Sequence, residues 1–286
     1  MNKILKTLAV FSAGGILTII TEYYTSHTDF INAEAGTLVP VSNNILPIPN
    51  YRYPDKNDLK IYNNFVLSYN RQTKNPDWVI EYLTPNSIGM PHDNPEFRKD
   101  LTFEFDETEH PLFRSLPVDY ANSGFDRGHM AAAANHKNDS MDCRRSFVMT
   151  NICPQVGENF NRGIWNKLES LTRAIVRRNE FAIVCTGPLY LPKQVCSKKF
   201  VQYEVIGNNN VAVPTHFFKV LLVKETNINS FKLFCYILPN QPLVTNGNFN
   251  LFYVPLVDIE RAAGFFIFSP ILKYLKLSQI NDKQYG

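Results

Sequence analysis

The sequence predicts an α+β fold in which a mixed, mainly antiparallel sheet is flanked by helices. Two observations predict it. Strand-like segments outnumber helical ones, and the two kinds do not alternate strictly, as a doubly wound sheet would require. Of the 286 residues, 44% are hydrophobic and 19% are charged. That balance is typical of a globular protein, and the chain is long enough to bury a sizeable core.

The predicted strands are segments in which aromatic and β-branched residues are mixed. They cover residues 61–69, 78–83, 147–152, 181–185, 211–223 and 231–238. One helix is predicted between the third and fourth of these strands. Its apolar residues recur mainly at steps of three and four, as one buried helix face requires: Ile164, Trp165, Leu168, Leu171 and Ile175. Trp165 is expected in the core.

The chain divides into four predicted parts: a targeting or anchor segment (1–26), a proline-containing linker (27–55), one folded domain (56–276) and a polar tail (277–286). The first part carries Lys3 and Lys6 ahead of an apolar run from Leu8 to Ile20. Such a segment is typical of a secretory signal peptide, a mitochondrial presequence or a single membrane anchor. No clear cleavage site follows, arginine is absent, and the run is short for a span. These residues leave the three alternatives open.

Charge and cysteine content exclude several classes of protein. The net charge is only +3, and residues 121–180, with nine Lys and Arg against six Asp and Glu, carry that whole excess. Nucleic-acid binding would therefore depend on a local patch. The five cysteines, an odd number without a CxxC pair, suggest neither a disulfide framework nor a zinc finger. No apolar run beyond the N-terminal segment is long enough for a multi-span membrane protein.

The residues suited to chemistry are concentrated between Ser123 and Glu169. Hydrolysis of a phosphodiester needs a base that works near neutral pH, a divalent cation and groups that hold the phosphate oxygens. The run 126–129, Asp-Arg-Gly-His, offers a base beside a phosphate clamp. Asn161 offers a hard oxygen ligand for Mg²⁺. Glu169 follows eight residues later, a spacing that would place both side chains towards one side of a helix.

The Asp-Arg-Gly-His run resembles the signature of the DNA/RNA non-specific endonucleases, the family with a ββα-metal (His-Me finger) site. Longer matches to the mitochondrial branch of this family cover residues 124–136, 186–189 and 211–219. The resemblance extends over roughly 58–273. It implies an α+β nuclease domain whose helices and sheet carry the ββα-metal site.

The resemblance also implies a role for each matching residue. His129 would be the general base, and Asn161 the sole direct protein ligand of Mg²⁺, for which Mn²⁺ could substitute. Glu169 would hold the waters of the metal. The other implied roles are phosphate binding by Arg71, Arg127 and Arg162, orientation of the histidine by Asn151, and support of the motif backbone by Asp126.

Members of the family cut DNA and RNA with little sequence preference and leave 5′-phosphate and 3′-hydroxyl ends. They are typically mitochondrial homodimers that reach nuclear DNA in cell death. The resemblance therefore implies DNA fragmentation in cell death or turnover of mitochondrial DNA, with a protein inhibitor left unspecified. Two alternatives stay open: a secreted nuclease with the same site, and a nucleic-acid-binding protein without catalysis.

Simpler roles are also available for several of these residues. Asn161 could cap the helix that carries Trp165. Glu169 and Arg173, four residues apart, could form a surface ion pair. His136 is expected to be structural, and His216 to be a packing residue. Cys143 and Cys153 have no obvious partner base, which argues against a nucleophilic cysteine. The run 143–145, Cys-Arg-Arg, departs from the family pattern and is predicted to form a loop beside the site, where Arg144 and Arg145 could extend the phosphate track.

Overall fold

A six-stranded sheet forms the centre of the fold, and every strand pairing in it is antiparallel. Its strands, in sheet order, are β1 (Leu59–Ile61), β2 (Phe65–Asn70), β3 (Asn75–Leu83), β6 (Phe181–Leu189), β11 (His216–Lys224) and β12 (Phe231–Pro239). The structure is a computed structural model that describes residues 53–54, 59–88, 101–243 and 247–278. All of these belong to one structural unit, Asn44–Gly286. The α+β prediction is confirmed.

Six short strands form three separate pairs: β4 (Phe125–His129) with β5 (Ile152–Val156), β7 (Lys193–Val195) with β8 (Lys198–Phe200), and β9 (Val205–Ile206) with β10 (Val211–Ala212). The α-helices are α1 (Ser140–Ser146), α2 (Asn166–Arg177), α3 (Leu256–Ala263) and α4 (Ser269–Leu272). In the described ranges, no helix combines the length and apolar character needed to cross a membrane. No disulfide links the five cysteines, all of which lie in these ranges.

Helices cover both faces of the central sheet. On one face, Leu168 and Ile175 of α2 pack with Val184 of β6 and Leu221 of β11. On the other face, the core contains residues of α3 and α4 together with the alternate residues of the same strands: Leu256, Ile259, Ile271, Ile183 and Val220. Because side chains alternate along a strand, β6 and β11 are buried along nearly their whole length. Trp165 is 1% exposed in the first core, as the sequence predicted.

Three of the predicted strands differ from the structure. The predicted strand 147–152 is wrong: a 3₁₀ turn occupies Met149–Asn151, and the strand begins only at Ile152. Pro214 separates β10 from β11 within the predicted strand 211–223, since proline has no N–H to donate to a ladder. The predicted strand 61–69 is a hairpin, in which Tyr62 N donates to Phe65 O at 2.9 Å.

The predicted targeting segment (1–26), the linker apart from residues 53–54, and the tail beyond residue 278 lie outside the described residues. These assignments stay predictions. The described residues of the predicted domain 56–276 supply the whole sheet and all four helices.

Candidate active site

The paired strands β4 and β5 carry the Asp-Arg-Gly-His run. Asp126 lies opposite Gln155, and His129 lies opposite Ile152, the first residue of β5. Because side chains alternate along β4, Arg127 and His129 share one face of the strand, and Asp126 lies on the other. A histidine and an arginine therefore project together from the end of one short strand.

Gly128 allows β5 to approach β4 closely. A Cβ atom at this position would overlap the side-chain amide of Gln155. Gln155 is completely buried, and neither atom of its amide has a hydrogen-bond partner among the described residues. Glycine is thus required here by space, and its neighbour presents an amide with unused donor and acceptor capacity.

Two phenylalanines form the walls around His129. The ring of Phe147 meets the imidazole edge-on at 4.6 Å between centroids, and Phe103 lies at 5.4 Å. The guanidinium of Arg127 lies 5.1 Å from the centroid of the same Phe103 ring, and Arg127 Nη2 donates to Pro117 O at 3.3 Å. His129 and Arg127 are therefore held by one aromatic support.

Asn151 fixes the backbone that follows His129. Its side chain is completely buried. Ala131 N donates to Asn151 Oδ1 at 2.9 Å, and Asn151 Nδ2 donates to Ala131 O at 3.1 Å and to Ser146 O at 2.8 Å. Met130 N also donates to the backbone carbonyl of Asn151, at 3.0 Å. Asn151 thus holds the backbone of the two residues that follow His129.

Asn161 is attached to the same strand through Asp126. Its Nδ2 donates to Asp126 Oδ2 at 2.9 Å, so the carbonyl oxygen of the amide is not used in this bond.

The prediction that Asn161 and Glu169 share one helix is wrong, because Asn161 lies in an irregular segment, Gly157–Trp165, and α2 starts at Asn166. Gly163, between them, has non-helical angles (φ −118°, ψ −110°). Nor does Asn161 cap α2, whose N-cap residue is Trp165 and which has no side-chain cap.

The two other predicted phosphate ligands make different contacts. The guanidinium of Arg162 bonds both carboxylate oxygens of Asp126, and its side chain is 64% exposed. Arg71 lies away from β4 in sequence, on the turn after β2, where it donates to Glu109 at 2.8 Å. Lys60 also pairs with Glu109, at 3.5 Å. The structure thus groups Arg162 with Asp126 and Asn161, and groups Arg71 with Glu109 and Lys60.

Glu169 lies in the first turn of α2 and is half-buried. Desolvation raises the pKa of its carboxyl group, whereas the nearby charges of Lys219 and Arg173 act in the opposite direction. Arg173 also donates to Asn135 Oδ1 at 3.3 Å and to Ser170 Oγ at 2.9 Å. Glu169 therefore belongs to a partly buried group of charges, unlike the surface ion pair considered from its spacing to Arg173.

The remaining sequence candidates have structural surroundings. His136 is buried, with Nε2 3.0 Å from Glu81 Oε1. His216 is half-buried beside Thr215. Burial raises the pKa of the Cys153 thiol well above its ordinary value, which disfavours a nucleophilic thiolate. The loop predicted at 143–145 is wrong: these residues belong to α1, which is capped by Asp139.

No pattern in the sequence points to Phe103, and the sequence places Phe147 in a predicted strand. Aromatic residues of this kind are normally core residues, and only the fold brings these two to His129. Glu81, in the middle of the apolar strand β3, was also missed. A carboxylate within an apolar strand is rarely buried without partners, and that signal could have identified it.

The donor set fits a hard cation that keeps most of its own water. Within the described ranges, no group of three or more His, Cys, Asp or Glu side chains could hold a metal ion. The candidates are instead the amide oxygen of Asn161, which is not used in the bond to Asp126, and the partnerless buried amide of Gln155. Amide oxygens with retained waters suit Mg²⁺, whereas zinc sites are built from His, Cys and carboxylate ligands.

A family model described as DNA/RNA non-specific endonuclease matches residues 43–273. The chain therefore belongs to this family and is a nuclease. The family resemblance seen in the Asp-Arg-Gly-His run is confirmed.

Within the family, the chain is similar to endonuclease G. It is 43% identical over 227 residues to mitochondrial endonuclease G of Caenorhabditis elegans, covering 78% of this chain and 71% of the relative. It is 39% identical over 223 residues to the human protein of that name, covering 78% and 73%. A solved EndoG/EndoGI complex, described with the mechanism of EndoG inhibition, matches with a TM-score of 0.72 and 41% identity, over 81% of this chain and 90% of that one.

Proposed function

We propose that this chain is a Mg²⁺-dependent endonuclease that hydrolyses phosphodiester bonds in DNA and RNA, with His129 as the general base and Asn161 as the protein ligand of the metal. One observation carries the proposal. The hydrogen bond between Asn161 and Asp126 attaches the amide ligand to the strand that ends in His129. Base and ligand are thereby held by a single element.

His129 can take a proton from the attacking water near neutral pH, as an imidazole does without a large change in pKa. Phe103 and Phe147 restrict the rotation of the ring, and Asn151 fixes the backbone next to it. Such restriction reduces the reorganisation needed to reach the reactive geometry. These neighbours are expected to increase the rate without contacting the substrate.

Arg127 is suited to hold a non-bridging phosphate oxygen. Its guanidinium is stacked against Phe103, and its Nη2 donates a hydrogen bond to Pro117 O. Its Nε is buried and has no hydrogen-bond partner among the described residues. A guanidinium that is fixed in place and still has donors to offer is a favourable phosphate ligand. Arg162 and Arg71 are proposed as further phosphate contacts.

A bound Mg²⁺ would supply positive charge that stabilises the charge developing on the phosphate and the leaving oxygen. Asn161 would hold this ion through its amide oxygen. Glu169 would accept hydrogen bonds from the waters of the ion, a role that carboxylates near metal sites commonly have. The expected products carry 5′-phosphate and 3′-hydroxyl ends.

The proposal is tested by measuring the nicking of supercoiled plasmid by a chain that lacks residues 1–26, in the presence of Mg²⁺ or of EDTA. An RNA substrate is assayed in parallel. Cleavage of both substrates in Mg²⁺ alone supports it. Because phosphate contacts dominate such binding, cleavage should fall by at least about tenfold between 50 and 200 mM salt. Cleavage that persists in EDTA would contradict the metal requirement. Binding of DNA by folded protein without cleavage would favour the non-catalytic alternative.

We further infer that the chain acts in mitochondria, because the relatives from C. elegans and human are named mitochondrial. Relocation to nuclear DNA in cell death is proposed from the family resemblance alone. Imaging of the full-length chain beside the chain without residues 1–26 tests this inference. Mitochondrial signal that depends on residues 1–26 supports it. Accumulation of a processed chain in the medium would instead favour the secreted nuclease.

A homodimer is the assembly proposed for this chain, and light scattering of the purified protein would measure it. A mass near that of one chain would contradict the dimer.

A protein inhibitor is a further candidate partner, because the similar EndoG was solved in a complex with EndoGI. Titration of an EndoGI-type protein into the plasmid assay would test this: loss of cleavage at about one inhibitor per active site supports it, and unchanged cleavage at excess opposes it.

A further inference from the structure

A buried polar cluster links the segment after His129 to helix α2. Its centre is Glu81 on β3, which is 0% exposed. Glu81 Oε1 accepts a hydrogen bond from Asn135 Nδ2 at 2.9 Å and lies 3.0 Å from His136 Nε2. A carboxylate removed from water in this way requires partners, and both of these come from the chain that follows His129.

The tautomer of His136 follows from its other neighbour. Asn64 Nδ2 lies 3.0 Å from His136 Nδ1. An amide nitrogen only donates, so Nδ1 is the acceptor and the ring proton is on Nε2, directed at Glu81. His136 is 2% exposed, so this arrangement is shielded from solvent. Asn64 thus contacts one ring nitrogen of His136, and Glu81 lies 3.0 Å from the other.

The cluster continues to the helix that carries Glu169. Asn135, which donates to Glu81, accepts from Arg173 Nη1 at 3.3 Å. Arg173 lies one turn after Glu169 on α2. Glu81 is therefore two hydrogen bonds away from the turn of helix next to Glu169.

A buried lysine completes the cluster from the opposite side. Lys219 of β11 is 1% exposed, donates to Thr186 Oγ1 at 2.6 Å, and lies 5.1 Å from the ring of Trp165 at the start of α2. Burial lowers the pKa of Lys219, and the charges of Glu81 and Glu169 act in the opposite direction. Lys219 therefore interacts electrostatically with one carboxylate in the sheet and one on the helix.

We propose that Glu81 is a positioning residue for cleavage, which holds the segment after His129 and the first turns of α2 in fixed relation through Asn135, His136 and Arg173. The proposal rests on the proposed function, because it takes His129 and Glu169 as the groups that are positioned. Glu81 itself contacts neither substrate nor metal in this account.

The test is the variant Glu81→Gln, which keeps the shape of the side chain and an acceptor oxygen but removes the charge that strengthens the contacts of Glu81 with Asn135 and His136. Steady-state cleavage of an oligonucleotide in Mg²⁺ should show kcat reduced by at least about tenfold and KM changed by less than about twofold, because alignment is lost and phosphate binding is not. Hydrogen exchange should rise together at residues 130–136 and in the first turns of α2. The kcat of Glu81→Asp should also be low, because the aspartate side chain is shorter and its carboxylate lies farther from Asn135.

Glu260→Gln is a matched control. Glu260 is a buried carboxylate (5% exposed) on α3, where it accepts from the backbone N–H groups of Ile267 and Phe268. The variant Glu260→Gln is expected to have a lower unfolding temperature, with the kcat of the folded protein within about twofold of wild type. A loss of kcat as large as that of Glu81→Gln would overturn the proposal, since any buried carboxylate would then have the same effect.

If Glu81→Gln does not fold, Asn135→Ala provides the second variant, because it breaks the connection between Glu81 and Arg173 without removing a charge. The same loss of kcat is expected, and in a double variant the two losses should not multiply. An unchanged kcat in whichever variant folds would overturn the proposal. Failure of the proposed function has a different result from failure of the Glu81 proposal: either the wild-type protein does not cleave, or His129→Ala still cleaves.

Discussion

Asn161 and Asp126 are joined by a hydrogen bond of 2.9 Å from the side-chain amide nitrogen of the first to Oδ2 of the second. A carboxylate accepts only, so the amide must present its nitrogen to Asp126, and this fixes which end of Asn161 is left for a cation. The same carboxylate also binds the guanidinium of Arg162. Asp126 therefore organises the proposed metal ligand while it belongs to the strand that carries His129.

Replacement of Asp126 by alanine should weaken the binding of Mg²⁺ at the site. Without the carboxylate, Asn161 loses the bond that orients its amide, and the Mg²⁺ concentration for half-maximal cleavage should rise at least about tenfold. A Mg²⁺ titration of the cleavage rate measures this change.

The matched control for Asp126→Ala is Asp258→Ala, which removes a carboxylate paired with Arg261 at 2.9 Å on α3. Its Mg²⁺ dependence should equal that of wild type. An unchanged titration midpoint in Asp126→Ala would show that Asp126 does not orient the metal ligand.

Addition of a methyl group at Gly128 should disrupt the paired strands. The new Cβ of Gly128→Ala overlaps the buried Gln155 amide, and the free energy of unfolding should fall by about 1–3 kcal/mol, with a parallel loss of cleavage. Urea unfolding measures the first effect. In the double variant Gly128→Ala/Gln155→Ala the overlap is removed, so part of the lost stability should return. If the double variant is less stable than Gly128→Ala, contact with the Gln155 amide is not the reason that position 128 requires glycine.

Glu169 should affect stability in a pH-dependent way. Desolvation raises its folded pKa above the ordinary value of 4.5, so the ionised form is disfavoured in the folded protein. The stability it contributes is present below about pH 4.5 and is lost as the pH rises through the folded pKa. In EDTA, Glu169→Gln should therefore gain in unfolding temperature relative to wild type as the pH rises from 4.5 to 8.

Glu225 provides a contrast of opposite sign. The ion pair with Lys232, together with hydrogen bonds from Ser230 and Ser278, lowers the pKa of Glu225 to about 2. Its contribution is present above about pH 4.5 and is lost as the pH falls through about 2, so Glu225→Gln should be less stable than wild type at pH 7. The same pH trend in both variants would contradict the assignment for Glu169.

Thiol chemistry should be separate from cleavage. Among the five cysteines only Cys196 is exposed. Burial raises the thiol pKa of Cys153 and Cys185, and that of Cys235 to about 12. One thiol should react with a disulfide reagent in native protein and five in denaturant, and the modified native protein should cleave at the wild-type rate. Loss of cleavage that Cys196→Ser does not prevent would indicate a reactive thiol in the site.

The fold could be predicted where the apolar pattern is long. The strands around 78–83, 181–185 and 231–238 and the helix after Trp165 follow directly from it. Strand β4 could not be predicted, because Asp-Arg-Gly-His has no apolar alternation and becomes a strand only by pairing with β5, more than twenty residues later. Pro214 and the turn after Tyr62 divide segments whose composition alone is continuous.

The candidate site could be predicted as a set of residue types but not as an arrangement. The spacing to Asn161 is what points to Glu169, although the two do not share a helix. The link from Glu81 to His136 joins positions 55 residues apart, and no local pattern contains it. Tertiary contacts of this kind decide which polar residues surround His129.

The assignment of His129 as the general base is tested by single-turnover cleavage with His129→Ala in saturating Mg²⁺. His110→Ala, at an exposed histidine, is the matched control. We expect the cleavage rate of His129→Ala to fall by about 10²–10⁴-fold, with DNA affinity within about twofold of wild type and no change for His110→Ala. A cleavage rate for His129→Ala within about tenfold of wild type would mean that His129 is not the general base.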